Sequence, residues 1–285
     1  MRKNIFEILK DNTNLSNDTT RLVKMFKYED LLYSNHEDYN LIDFVDEYCF
    51  DDWKMREHCV DSNDFLKTVD FAFYAEDAKF NLESHFVLIE IIYNFWKLAN
   101  DKLNEDSKIY QWFGNFYHLG EVMDDILEKN NHTVYIDNEK ECLLVVEDKP
   151  EVSAVMEILP DSNLALDVIK YNHHSLKGKI DLKKSILLRL GSELEAKRKD
   201  LKKIDNKLTE DIFFLLNKLN IRHNNTSKEH VSNYVECVAN MESSELEEWY
   251  DELYQMILLA FLLLDNKNRE VNIGKLKDKI LNINS

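Results

Sequence analysis

Glycine and proline are scarce, at 5 and 2 in 285 residues. That is too few for the turns of a many-stranded sandwich, a barrel or a glycine-rich nucleotide fold. The sequence has no phosphate-cradling glycine loop, CxxC pair, HExxH motif or nucleophile elbow, so the enzyme classes built on those motifs have no support in it. Cys49, Cys59, Cys142 and Cys237 lack framework spacing and fit a reducing compartment better than a disulfide scaffold. With His58, the first two still lack a fourth zinc ligand at usable spacing, so neither a metal nor a cofactor is expected. The longest apolar run, Met256 to Leu264, has nine residues; about 20 are needed to span a bilayer, so it reads as buried helix core. Met1 to Lys10 has neither the apolar length nor the cleavage site of a signal peptide. A cytoplasmic protein with no membrane partner is the expectation.

Hydrophobic residues make up 44% of the chain, enough to fill one large core or two ordinary ones. Their spacing is helical. Leu82, Phe86, Ile89, Tyr93 and Trp96 follow one such period, and Phe113, Phe116, Leu119, Met123, Ile126 and Leu127 another. The period breaks at Thr133 to Ile136 and Cys142 to Val146, two β-prone runs around a polar turn that read as a small hairpin. Pro150 and Pro160 follow. The reading is therefore a mainly α fold in two helical subdomains, 1–148 acidic and ending in the hairpin, 149–285 a helical bundle. In the bundle, a helix is expected over Ile180 to Lys203 with Ile186, Leu187, Leu190, Leu194 and Leu201 as its stripe. A second, capped by Thr209, should end near Arg222. A third should start from a Ser244/Glu247 capping box and run to about Asp265, with a short helix after Gly274.

Basic charge is in deficit overall, with 36 Lys+Arg against 54 Asp+Glu and a net charge of −18. The imbalance is uneven. Residues 1–167 carry −20, residues 168–230 carry +7 and residues 231–285 carry −5. The basic segment contains Lys197, Arg198, Lys199, Lys202 and Lys203, which can share a polar helix face near Lys183 and Lys184, the kind of surface that contacts phosphates. The same face is equally explained as solvated, or as docked on the acidic half.

The densest group of reactive side chains is Asn220-Ile221-Arg222-His223-Asn224-Asn225, with His230 seven residues beyond. An imidazole, with an ordinary pKa near 6.5, can exchange a proton with a ribose 2′-hydroxyl or a leaving oxygen. A guanidinium can hold the phosphate as charge develops. The structural alternative is that these residues cap carbonyls and occupy left-handed turn positions. Trp96, Tyr110, Trp112, Phe113, Phe116 and Tyr117 read as core rather than as a base-stacking platform.

The helix from Lys184 through Glu195 to Lys199, followed by one ending in Asn220-Ile221-Arg222-His223-Asn224, resembles the HEPN-type four-helix domain. The hairpin before it resembles the linker in C-terminal domains of bacterial abortive-infection proteins. The resemblance covers about the last half of the chain. It implies an all-α bundle, often dimeric, and in many members a metal-independent RNase of phage defence or toxin–antitoxin systems. The family motif is an Arg followed four to six residues later by a His. Arg222 matches the first position; His223 is adjacent to it and His230 lies beyond that spacing. Glu195 matches an acidic position that orients the Arg. The resemblance thus assigns Arg222, His223, His230 and Glu195 to catalysis, with Lys197, Arg198, Lys199, Lys202, Lys203 and Asn224 on the RNA. Against this stands a non-catalytic interaction module whose acidic N-terminal half binds a basic protein.

Overall fold

A computed structural model describes residues 15–78, 81–105, 110–159, 161–229 and 232–283. The fold is mainly α, and the chain divides into two compact units, Met1–Glu147 and Asp148–Ser285.

In the first unit, helix α1 (Leu15–Tyr28) is followed by strands β1 (Leu32–Ser34) and β2 (Glu37–Tyr39) and by helices α2 (Leu41–Tyr48), α3 (Ser62–Thr68) and α4 (Phe71–Asp77). Helix α5 (Leu82–Glu105) runs through the centre, and strand β3 (Tyr110–Trp112), helix α6 (Gly114–Lys129) and the hairpin β4 (His132–Asp137) and β5 (Cys142–Glu147) complete the unit. Phe86 to Ile92 are buried without interruption on α5, which marks a helix surrounded by other elements rather than laid on a surface. The short helices are punctuated by their caps: Asn40 Oδ1 accepts from Asp43 N at 3.0 Å and Asp61 Oδ1 from Asp64 N at 2.7 Å.

The expected hairpin is present and pairs Asp137 with Cys142 at its closed end. Its outer edge is finished by polar side chains of α5. The Asn94 amide donates to the Leu143 carbonyl at 3.0 Å and accepts from Leu143 N at 2.8 Å, while Glu90 Oε2 accepts from Val145 N at 2.7 Å. Two buried polar residues on a central helix thus satisfy an edge that would otherwise be unpaired. A second sheet was not anticipated from the sequence: β1 pairs antiparallel with both β2 and β3. Its strands have three residues each, too short for an alternating pattern, and the β1–β2 turn places Asn35 and His36, rather than glycine, at positive φ.

Gly120 on α6 has a packing role. A Cβ there would sit 2.8 Å from the Trp96 ring, which is fixed by its Nε1 donating to the Phe116 carbonyl at 2.9 Å and by stacking on Phe116. Gly120→Ala is expected to destabilise the protein by about 1–3 kcal/mol through overpacking. A lower urea midpoint at unchanged slope is the readout, and a parental midpoint would contradict the packing described.

The second unit contains α7 (Pro150–Ile158), α8 (Ser162–Tyr171), α9 (Ile180–Ile204), α10 (Asn206–Lys218), the short α11 (Glu236–Ala239) and α12 (Ser243–Ile283). The stripe expected on α9 is its buried face. Three boundaries differ from expectation. Asp205 caps α10, accepting from Leu208 N at 2.9 Å, whereas Thr209 is buried inside the helix with its hydroxyl donating to the Asp205 carbonyl. Helix α10 stops at Lys218. Helix α12 is continuous for 41 residues and passes through Gly274, which costs a helix interior about 1 kcal/mol relative to alanine without ending it.

Candidate functional site

The site is built where α10 ends against α9. Gly191 on α9 faces Leu216 on α10, and a Cβ there would lie 2.8 Å from the leucine methyls, so the missing side chain permits a close approach of the two helices. Past Lys218 the chain turns back sharply. Tyr250 donates from its hydroxyl to the Leu219 carbonyl at 3.0 Å, and Asn220 takes φ +58°. Asn220 and Asn225 bond each other reciprocally, Asn225 Oδ1 accepting from Asn220 N at 2.9 Å and Asn220 Oδ1 from Asn225 N at 3.2 Å. Arg222 N returns to the Leu216 carbonyl at 3.0 Å. The asparagines therefore do the turn-forming work that the structural alternative assigned to them, and the turn delivers Arg222 to α9.

The Arg222 guanidinium meets three groups. Its Nη1 donates to Glu195 Oε2 at 2.6 Å, its Nη2 donates to the Gly191 carbonyl at 3.1 Å, and its plane lies 5.1 Å from the centre of the Phe213 ring. Arg198 joins the same cluster, donating to Glu195 Oε1 at 3.1 Å and lying 4.2 Å from the same ring. One carboxylate thus serves two guanidiniums over one aromatic face, leaving the trio with a surplus positive charge. The Arg222 side chain is 18% exposed and Glu195 44%. Burial alone would raise the Glu195 carboxyl, but the hydrogen bonds from Arg222 and Arg198 outweigh it and hold it below the ordinary glutamate value.

The remaining predicted residues are spread around this cluster. His223 is exposed and makes no hydrogen bond or ion pair among the described residues. His230 lies outside the described residues. Asn224 is exposed, but its Oδ1 accepts from Ser227 N at 3.1 Å and Thr226 N at 3.3 Å, closing its own loop. Of the expected basic stripe, Lys197 is paired with Glu193, Lys202 with Glu210 at 3.3 Å and Lys203 with Asp200 at 2.8 Å. Lys199 is exposed and has no ion pair among the described residues. Four of the five stripe cations, Arg198 with Glu195 included, are therefore paired with neighbouring acids that the +7 already counts, and the stripe is weaker as a phosphate surface than its five cations suggest.

Lys183 is not part of that surface. It is 7% exposed and donates to Glu247 at 2.8 Å and Asp251 at 2.7 Å, beneath the Tyr171 ring. Nothing in the sequence pairs these residues, which lie more than 60 positions apart. The aromatic group also divides: Phe116 is buried, whereas Trp112, Phe113 and Tyr117 are about two-fifths exposed. Cys49 is a buried thiol whose pKa burial pushes up to about 12, which keeps it protonated and unreactive at neutral pH. No family model, curated protein or solved structure matches the chain.

Proposed function

We propose that the C-terminal unit is a HEPN-type domain that acts on RNA as a metal-independent endoribonuclease. The observation that carries this reading is the Arg222 guanidinium, held by Glu195 at 2.6 Å, with His223, the next residue in the chain, exposed. In the proposed reaction the ribose 2′-oxygen attacks the adjacent phosphorus, the bond to the 5′-oxygen breaks, and the products end in a 2′,3′-cyclic phosphate and a 5′-hydroxyl. Arg222 binds the phosphoryl oxygens as their charge grows. His223 transfers the proton taken from the 2′-hydroxyl or given to the leaving oxygen. Glu195 is a positioning residue, and Arg198, sharing its carboxylate, adds positive charge. A cytoplasmic role in phage defence or a toxin–antitoxin pair, with a homodimeric assembly, belongs to the same proposal.

A second reading has its own support. The pairing of Lys197, Arg198, Lys202 and Lys203 with neighbouring acids favours a non-catalytic module, with the acidic N-terminal half binding a basic partner. The two separate on one experiment: the full chain is incubated with varied RNAs in the presence of a chelator and the ends of the products are identified. Cleavage to cyclic-phosphate ends is the expected result. Intact RNA with a folded protein contradicts it and leaves the second reading.

A further inference from the structure

Among the described residues, nothing in its own unit buries the last third of α12. Up to Phe261 the helix buries Tyr250, Leu253, Tyr254, Ile257 and Leu258 in the core. From Asn266 to Leu281 no residue is buried, yet Val271, Ile273, Leu276, Ile280 and Leu281 are each more than half exposed. The stretch Lys267 to Gly274 contains Asn268, Val271, Asn272, Ile273 and Gly274, all poor helix formers. A bare helix of this composition is marginal in water, so packing has to come from elsewhere.

The spacing says what kind of packing. Leu259, Leu262, Asn266, Arg269, Ile273, Leu276 and Ile280 alternate steps of three and four, the seam of a two-stranded coiled coil, in which polar seam residues fix register; here they are two, Asn266 and Arg269, which also meet Glu270 and Asp265 of their own helix. Charge says which way the strands run. The first turns of α12 present Glu245, Glu248 and Glu252 to solvent, with no Lys or Arg between 242 and 252. The far end carries Lys275, Lys277 and Lys279, exposed and without ion pairs among the described residues. A parallel pairing sets the lysines of two copies against each other. An antiparallel pairing sends them toward the partner's acidic end.

We propose that the exposed face of α12 forms an antiparallel two-helix interface with a second copy of this chain. Its centre is an Asn266–Arg269 layer, repeated by the two-fold axis and flanked on each side by Leu262 against Ile273 and Leu259 against Leu276. The proposal rests on the homodimeric assembly named above and supplies a surface for it, but does not depend on cleavage of RNA.

The test uses the full chain. Sedimentation equilibrium is expected to give twice the monomer mass of 33.9 kDa, and Leu276→Lys is expected to return the protein to monomer with lower helicity. Because Leu276 is exposed and remote from the bundle core, that variant should keep a cooperative unfolding transition. A monomeric parent, or a variant that stays dimeric, overturns the interface. Orientation is read in a Cys237→Ser background from two single-cysteine variants under oxidation. Asn266→Cys, on the seam and next to the two-fold axis, is expected to cross-link. Ile280→Cys, separated from its copy by about 37 Å at 1.5 Å per residue, is not. Cross-linking at Ile280 alone establishes a parallel pair and overturns the antiparallel assignment.

Discussion

Lys183→Met is expected to destabilise the C-terminal unit by about 3 kcal/mol, at the lower end of the ~3–5 kcal/mol seen when one partner of a buried ion pair is removed. The lower end applies because the carboxylates left behind differ in exposure: Glu247 is 17% exposed and Asp251 51%, so Asp251 regains much of its hydration. Glu247 regains less. It keeps a hydrogen bond from Gly178 N at 2.9 Å but loses the ammonium that neutralised it. Asp251 in turn accepts from the Tyr171 hydroxyl at 2.9 Å, and Tyr171 stacks on Tyr254 at 4.0 Å between ring centres. Loss of Lys183 therefore loosens the packing of α8 and α9 against α12 as well as a charge pair. Urea unfolding measures the effect. The double variant Lys183→Met, Glu247→Met, which removes both charges, should recover part of the loss.

The pH dependence of this effect has a definite sign. Burial would raise the Glu247 carboxyl, but the hydrogen bonds from Lys183 and Gly178 hold it below its ordinary value of 4.5. A carboxyl depressed in the folded state contributes stability above its unfolded pKa and loses it as pH falls through the folded one. The parent–variant difference should accordingly be full at pH 7 and narrow below about pH 4.5. A difference that stays constant down to pH 3 would falsify the ion-pair account and leave only the packing of the lysine stem.

What the sequence made legible follows from local signals. The stripe of Ile186, Leu187, Leu190, Leu194 and Leu201 was readable because all five serve one helix face at one period, and they are buried on α9. The hairpin was readable because two β-prone runs flank a polar turn. What stayed hidden depends on partners far away in the chain. Strand β1 pairs with β3 nearly 80 residues later, Leu32 opposite Trp112, and neither segment carries a pattern by itself. Lys183 counted as surface charge because its acids sit on another helix. The choice of Asp205 over Thr209 as the cap of α10 was a contest between two acceptable residues four positions apart, decided by which side chain reaches a free N–H. At the candidate site, residue types and the link from Glu195 to Arg222 were suggested by resemblance. The sharing of Glu195 with Arg198 over Phe213, and the ion pairing that quiets the basic stripe, needed coordinates.

The larger effect is expected on RNA cleavage. His223 is exposed and bonded to nothing among the described residues, so its removal leaves the fold intact and reports on chemistry alone. Loss of a positioned proton-transfer group costs about 10²–10⁴-fold in rate. Arg222→Ala is expected to cost about 10²–10³-fold, the range for removing one donor to developing charge, but it also strips Glu195 of a partner and disturbs the turn at Asn220. Glu195→Gln is the positioning control. It keeps the shape and the hydrogen-bond acceptor while removing the charge, and it should lower kcat less than either of the others, with KM for RNA little changed. The most direct measurement is single-turnover cleavage of one RNA by the parent and by His223→Ala, both shown to unfold cooperatively at the same urea midpoint. Parental cleavage is expected, with a rate at least about 100-fold lower in the variant; equal rates would contradict a proton-transfer role for His223.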